Sequence, residues 1–186
     1  ALPMEILQAA SQMASVTEHG VSQVRFLLAG QACQPMTLSS GITLQPDTAF
    51  SDLPPLDLVL LPAICRNPLP PVRGARDCLG LLREEADKRT HICNVGTGSY
   101  LLAEAGLVNG RPATTHWNYF EQFSRRYPAV ELKSRHLITQ SDNIYCVGSV
   151  NSIADLMVHI VEDWFGSPIA RAIENQFSPE IRRSFR

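Results

Sequence analysis

Paired cysteines are missing from this sequence. Its five cysteines, Cys33, Cys65, Cys78, Cys93 and Cys146, are scattered, odd in number and never spaced as CxxC. That excludes a disulfide framework and a structural zinc site, and it fits reduced thiols. His91, His136 and His159 show no metal-ligand spacing with one another or with carboxylates, so neither a metal nor a cofactor is expected. An excess of positive charge is also missing. Lys and Arg number 16 against 18 Asp and Glu, for a net charge of −2, which supplies no basic face for nucleic acid. No apolar run approaches the roughly 20 residues of a membrane helix, and nothing ahead of the first helix reads as a signal peptide. No membrane contact and a cytoplasmic location are therefore expected. Internal repeats and low-complexity segments are absent as well.

What is present is an ordinary globular composition, 45% hydrophobic and 18% charged over 186 residues, enough for one domain with a short appendage. The pattern alternates strands and helices. "ALPMEILQAASQMA" reads as a helix with Leu7, Ala10 and Ala14 on one face, and "VSQVRFLLAG" as a strand. "MTLSSGITLQP" suggests a hairpin around Ser40-Gly41, "LDLVLLP" a buried parallel strand, and "AICRNPLPPVRG" a Pro-rich loop. "ARDCLGLLREEADKR" reads as an amphipathic helix with Cys78, Leu81 and Leu82 inward. After the strand "HICNV" a helix is expected to end at Gly106, and the next is expected to be capped by Thr115 and stopped by Pro128. "VELKSR" and "HLITQSDNIYCVG" read as strands with a turn at Asp142-Asn143. The stripe Ile153, Leu156, Met157, Ile160, Val161 and Trp164 marks a helix ended by Gly166, and Ser167-Pro168 opens a last one. Strands alternating with helices of crossover length predict an α/β domain with a mainly parallel sheet covered on both faces.

One stretch carries chemistry by its shape. "HICNVGTGSYLLAEAGL" runs from an apolar strand through a Gly-rich turn straight into a helix, the form of a nucleophile elbow, yet Gly96 stands at its apex. Two readings stand for Gly96. A sharp turn needs a positive φ, which glycine supplies. A missing side chain also opens a hole above the sheet, where the amides of Thr97 and Gly98 could meet a small ligand. Cys93, three residues earlier, is either a packing residue of the strand or a displaced nucleophile, the second requiring exposure and a lowered pKa. Cys65 is either a loop thiol or part of a pocket. His116 is either a capping or packing residue or a ligand contact, Trp117 is expected to pack, and Asp155 either faces solvent or bonds a backbone amide near a helix start. In parallel sheets ligands sit at the carboxyl ends of strands, so the candidate ligand-binding residues are Ala63, Ile64, Gly96, Thr97, Gly98 and His116, with no catalytic residue.

"VGTGSYLLAEAGLVNGRPATTHW", together with "DLVLLP", "PMEIL" and "NSIADLMVHIVEDWFGSPIA", resembles the ThiJ/PfpI superfamily of amidotransferase-like proteins over most of the chain. The resemblance implies a flavodoxin-like three-layer sandwich in which the elbow residue is a reactive Cys. Gly96 stands at that Cys position, and Thr97 where some enzymes place a His. Many relatives carry a Gly pair where this sequence reads Ala63-Ile64, a departure that argues against an amide-lined oxyanion hole on that side. Within the superfamily, "LLAEAGLVNGRPATTHW" and "IADLMVHIVEDWFG" are most similar to the N-terminal sensor domain of AraC-family transcriptional regulators. That implies residues 1–177 as the sensor domain and 178–186, "SPEIRRSFR", as the start of a linker to a DNA-binding domain absent from this chain. It also implies a homodimer that binds a small metabolite and reaches DNA only through a C-terminal helix-turn-helix region. A hydrolase or hydratase using Cys93 or Cys65 is the rival, and a dimerisation module with a filled pocket is the third reading.

Overall fold

β6 (His91–Val95) is the centre of the architecture, flanked on both sides by parallel neighbours. The computed structural model describes residues 2–17, 23–38, 40–64 and 66–177. In sequence order the elements are α1 (Leu2–Thr17), β1 (Ala29–Gly30), β2 (Met36–Thr37), β3 (Thr43–Leu44), β4 (Thr48–Ala49) and β5 (Leu58–Leu61). Then come α2 (Leu69–Gly74), α3 (Arg76–Asp87), β6, α4 (Ser99–Glu104), β7 (Pro112–Ala113), α5 (Phe120–Arg126), β8 (Glu131–Leu132), β9 (Ile138–Ser141), β10 (Ile144–Val147), α6 (Ile153–Phe165) and α7 (Ser167–Phe177).

The chain divides into two compact units, Leu27–Val150 and the pair of end segments Ala1–Phe26 with Asn151–Arg186. The middle unit holds a four-stranded sheet in the order β5-β6-β10-β9, parallel except for the edge strand β9. β1 pairs with β4 and β7 with β8, each parallel, while β2 and β3 form a hairpin around Gly41, whose φ is +85°. The core of this unit gathers Leu61, Leu79, Leu82, Ile92, Tyr100, Leu102, Phe123 and Ile144, among others. Rings of Tyr100, Phe123 and Tyr127 meet nearly edge to face in it, with centroids 5.1 to 5.6 Å apart. In the unit of end segments, α1, α6 and α7 pack on one another. There Ile6, Leu7, Ala10 and Ala14 of α1, the stripe from Ile153 to Val161 on α6, and Ile173 of α7 are buried.

Several sequence expectations change. The expected strand "VSQVRFLLAG" pairs only at Ala29–Gly30, and residues 21–22 lie outside the described residues. Two of its other amides find side chains instead of a ladder: Val24 N–H donates to Ser11 Oγ, and Leu28 N–H to the Asp47 carboxylate. The Pro-rich loop contains α2, because Pro70 and Pro71 fall in a first helical turn, where a missing N–H costs nothing. The inward face of α3 runs through Leu79, Leu82 and Glu85, with Cys78 and Leu81 half-buried beside it. The buried Glu85 carboxylate is held by Lys88 Nζ at 2.7 Å and by the Thr90 hydroxyl at 2.6 Å. The "VELKSR" strand shrinks to Glu131–Leu132.

Four local expectations hold, at Gly106, Gly166, Asp142 and Asp155. Gly106, at φ +79°, ends α4 in a Schellman motif, with Leu107 N–H donating to Leu102 O and Gly106 N–H to Ala103 O. Gly166, at φ +81°, ends α6. Asp142, at φ +51°, turns β9 into β10. Asp155 is exposed on α6. Among the described residues no helix is long and apolar enough to cross a membrane, and no group of three or more His, Cys, Asp or Glu could hold a metal ion.

Candidate functional site

Parallel pairing brings the exits of β5 and β6 to one edge. Leu61 of β5 lies in register with Asn94 of β6, so Pro62-Ala63-Ile64 and Val95-Gly96-Thr97 leave the sheet side by side. β7 delivers the third segment, Thr114-Thr115-His116, whose Thr115 hydroxyl donates to the Gly96 carbonyl at 3.3 Å. Asn94 Nδ2 donates to the same carbonyl at 3.2 Å.

Gly96 is buried and has a φ of +51°, the left-handed conformation that side chains resist. A Cβ built there would stand 3.6 Å from His116 Cβ and 3.8 Å from Ala63 Cβ, both ordinary contact distances. The backbone is therefore a true elbow: strand, positive-φ apex, helix, with a gap the size of one methyl group left at the apex beside Ala63 and His116. Gly98 is different. A Cβ at Gly98 would fall 2.8 Å from Pro62 O and 3.2 Å from Leu61 O, so this glycine is required by the close approach of the turn to the end of β5.

Thr97 is only 3% exposed, and its hydroxyl grips the backbone of one residue twice. Ile64 N–H donates to Thr97 Oγ1 at 2.9 Å, and Thr97 Oγ1 donates to Ile64 O at 2.7 Å. The Ile64 amide is thus engaged inside the protein. His116 is half-buried and caps the following helical turn: Asn118 N–H donates to its Nδ1 at 3.3 Å. An Nδ1 that accepts leaves the ring proton on Nε2. The expected cap at Thr115 is replaced by His116, because the Thr115 hydroxyl is already bonded across to Gly96.

The structure sets Ala63 and His116 beside the empty Cβ position of Gly96, ties Ile64 to Thr97 next to it, and places Gly98 beneath the end of β5. Ala63 is exposed, and so is Trp117, at 71%, against the expectation that it packs. Cys93 is fully buried, and burial pushes its thiol well above the ordinary range, with the Cys146 thiol adding to the rise. That removes both the access and the thiolate that a nucleophile needs. Cys65 lies outside the described residues. Sequence reasoning missed Asn94, Thr115 and Tyr119. The "TTH" motif held a clue to Thr115; nothing in the local pattern points to Tyr119, whose hydroxyl donates to the carbonyl of Arg66, 53 positions away.

A positive-φ apex between the exits of parallel strands fits the class of the fold: a flavodoxin-like α/β domain built on a parallel sheet core. The chain belongs to the DJ-1/PfpI family, whose model matches residues 2–163. It is 29% identical over 142 residues to isonitrile hydratase of Pseudomonas putida, covering 76% of this chain and 60% of that protein. It is 29% identical over 144 residues to the HTH-type transcriptional regulator CdhR of Pseudomonas aeruginosa, covering 77% of this chain and 41% of that protein. The chain therefore spans less than two thirds of the length of both relatives. Among solved structures, a ThiJ/PfpI family protein from Pseudomonas syringae superposes with a TM-score of 0.75 at 16% identity, covering 99% of this chain and 73% of the other. The family thus includes both an enzyme and regulators among this chain's relatives.

Proposed function

We propose that this chain is the ligand-sensing and dimerising part of an AraC-type transcriptional regulator, and that it binds a small metabolite without transforming it. The observation that carries this reading is Gly96. The elbow has its positive-φ backbone and room for a Cβ, yet it has no atom with which to attack. Covalent catalysis loses nearly all its rate without its nucleophile. The similarity to CdhR supports the regulator context. In this reading the protein works in the cytoplasm as a homodimer, and DNA is contacted through a C-terminal helix-turn-helix region of the longer regulator. Residues 178–186, outside the described residues, begin the linker. Among the six candidate residues we centre the ligand on Ala63, Gly96 and His116, since Thr97 already holds Ile64, and Gly98 packs under β5. Bound metabolite acts by its difference in affinity between two arrangements of the regulator.

The competing reading, a hydratase or hydrolase with a displaced thiol, is raised by the identity with isonitrile hydratase. Full burial of Cys93 opposes it.

A metabolite panel read by thermal shift separates the two. A ligand present at a hundredfold its Kd adds about 2.7 kcal/mol to the native state, a shift that is easily read. Ala63→Phe fills the gap from its exposed side, and it is expected to abolish that shift while the protein still melts cooperatively. A shift that survives in Ala63→Phe moves the ligand elsewhere. Conversion of the ligand to product, followed by NMR, replaces the sensor with an enzyme. An encoding frame that stops near Arg186 removes the regulator.

A further inference from the structure

The walls of the Gly96 gap are joined by side chains that neither strand pairing nor helix packing demands. Thr97 grips both backbone polar atoms of Ile64. Arg66, two residues further on, has a φ of +63°, a conformation that a non-glycine residue holds only when its surroundings impose it. The Tyr119 hydroxyl donates to the Arg66 carbonyl. The Tyr119 ring stands 5.9 Å from that of His116 and meets the buried Tyr100 ring edge-on at 6.4 Å. Thr115, next to His116, is bonded back to Gly96. Contacts thus run from Gly96 and Thr97 to Ile64, from Arg66 to Tyr119, and from Tyr119 through His116 and Thr115 back to Gly96.

We propose that Tyr119 is a positioning residue of this site, and that Thr97 and Tyr119 together fix the Ile64 and Arg66 wall so that the Ile64 N–H is withheld from a bound molecule. Tyr119 anchors the wall at its far end, and Thr97 anchors it beside the apex. A ligand oxygen that approaches between Ala63 and Gly96 meets an amide already satisfied, and it can use that amide only by displacing the Thr97 hydroxyl. Thr97 then acts as a specificity filter against ligands that rely on a main-chain donor at this place. The functional meaning rests on reading the Gly96 gap as a binding site, but the test needs no ligand, so the two ideas fail separately.

The test is amide hydrogen exchange of the intact chain, read by NMR at Ile64, with the Ile92 amide as control. Ile92 N–H donates to Asn143 O at 2.8 Å, well away from this wall. Thr97→Val removes the hydroxyl at constant shape and is expected to accelerate Ile64 exchange about tenfold or more, while Thr97→Ser keeps wild-type protection. Tyr119→Phe keeps the ring, removes only the anchor, and is expected to accelerate Ile64 by about tenfold as well, leaving Ile92 unchanged. Wild-type exchange at Ile64 in Tyr119→Phe overturns the positioning role. Equal acceleration at Ile92 overturns it too, since the effect is then general loss of stability. If Thr97→Val does not fold, Thr97→Ser and Tyr119→Phe still decide.

Discussion

Gly96 and Gly98 occupy one turn, two positions apart, and answer to different forces. Position 96 has room for a methyl group but a φ of +51°, while position 98 has an ordinary φ and a carbonyl oxygen 2.8 Å from where the methyl would go. Gly96→Ala is therefore expected to cost about 1–2 kcal/mol, the left-handed penalty for a residue with a Cβ. Gly98→Ala is expected to cost about 3 kcal/mol, the upper end for overpacking against atoms that cannot move aside. Urea unfolding of the two variants checks the order. The same room makes Gly96→Cys a probe. Its thiol would enter the gap between Ala63 and His116, and mass spectrometry should find it alkylated at neutral pH, while Cys93 in the same molecule stays unmodified.

Buried thiols also set a dependence on pH. Burial pushes the Cys146 thiol from 9.0 up to about 12. Above pH 9 the unfolded chain loses this proton and the folded chain keeps it. The contribution is fully present below pH 9 and is lost as pH rises towards 12. Stability from urea unfolding should therefore fall over that window, and the fall should be shallower in Cys146→Ala.

At the scale of elements, boundaries set by backbone conformation were readable, and those set by partners were not. Gly106 and Gly166 end their helices because a positive φ at the cap suits glycine, a local rule visible in the sequence. "VSQVRFLLAG" has the alternation of a strand, yet the amides of Val24 and Leu28 bond to side chains. Periodicity reports which face is apolar, not whether a neighbouring strand is there to pair. The face of α3 shifted for a similar reason: Lys88 and Thr90 satisfy Glu85, so a carboxylate sits on the buried side. A long-range side-chain hydrogen bond helps to anchor the β9–β10 hairpin. Asn143 Nδ2 donates to Thr90 O at 2.6 Å, tying the turn to the start of β6. Asn143→Ala is expected to cost about 1–2 kcal/mol in chemical denaturation, and more than the same change at the exposed Asn118.

At the scale of the whole molecule, segments from opposite ends of the chain form one unit, so α6 and α7 share their packing with a helix about 150 positions earlier. Ile6 of α1 is completely buried. Ile6→Ala should cost about 2–5 kcal/mol, measured by urea unfolding, whereas Val16→Ala at an exposed position of the same helix should be nearly neutral.

The amino-acid order alone determined the parallel α/β plan, the elbow and its missing side chain. Each follows from periodicity or from the φ that a residue tolerates, and both act over a few positions. Tertiary structure alone decided what surrounds Gly96. Thr97 reaches Ile64 across 33 positions and Tyr119 reaches Arg66 across 53. Such partners are chosen by which strands lie side by side, and a hydroxyl carries no mark in the sequence of the peptide group it will find.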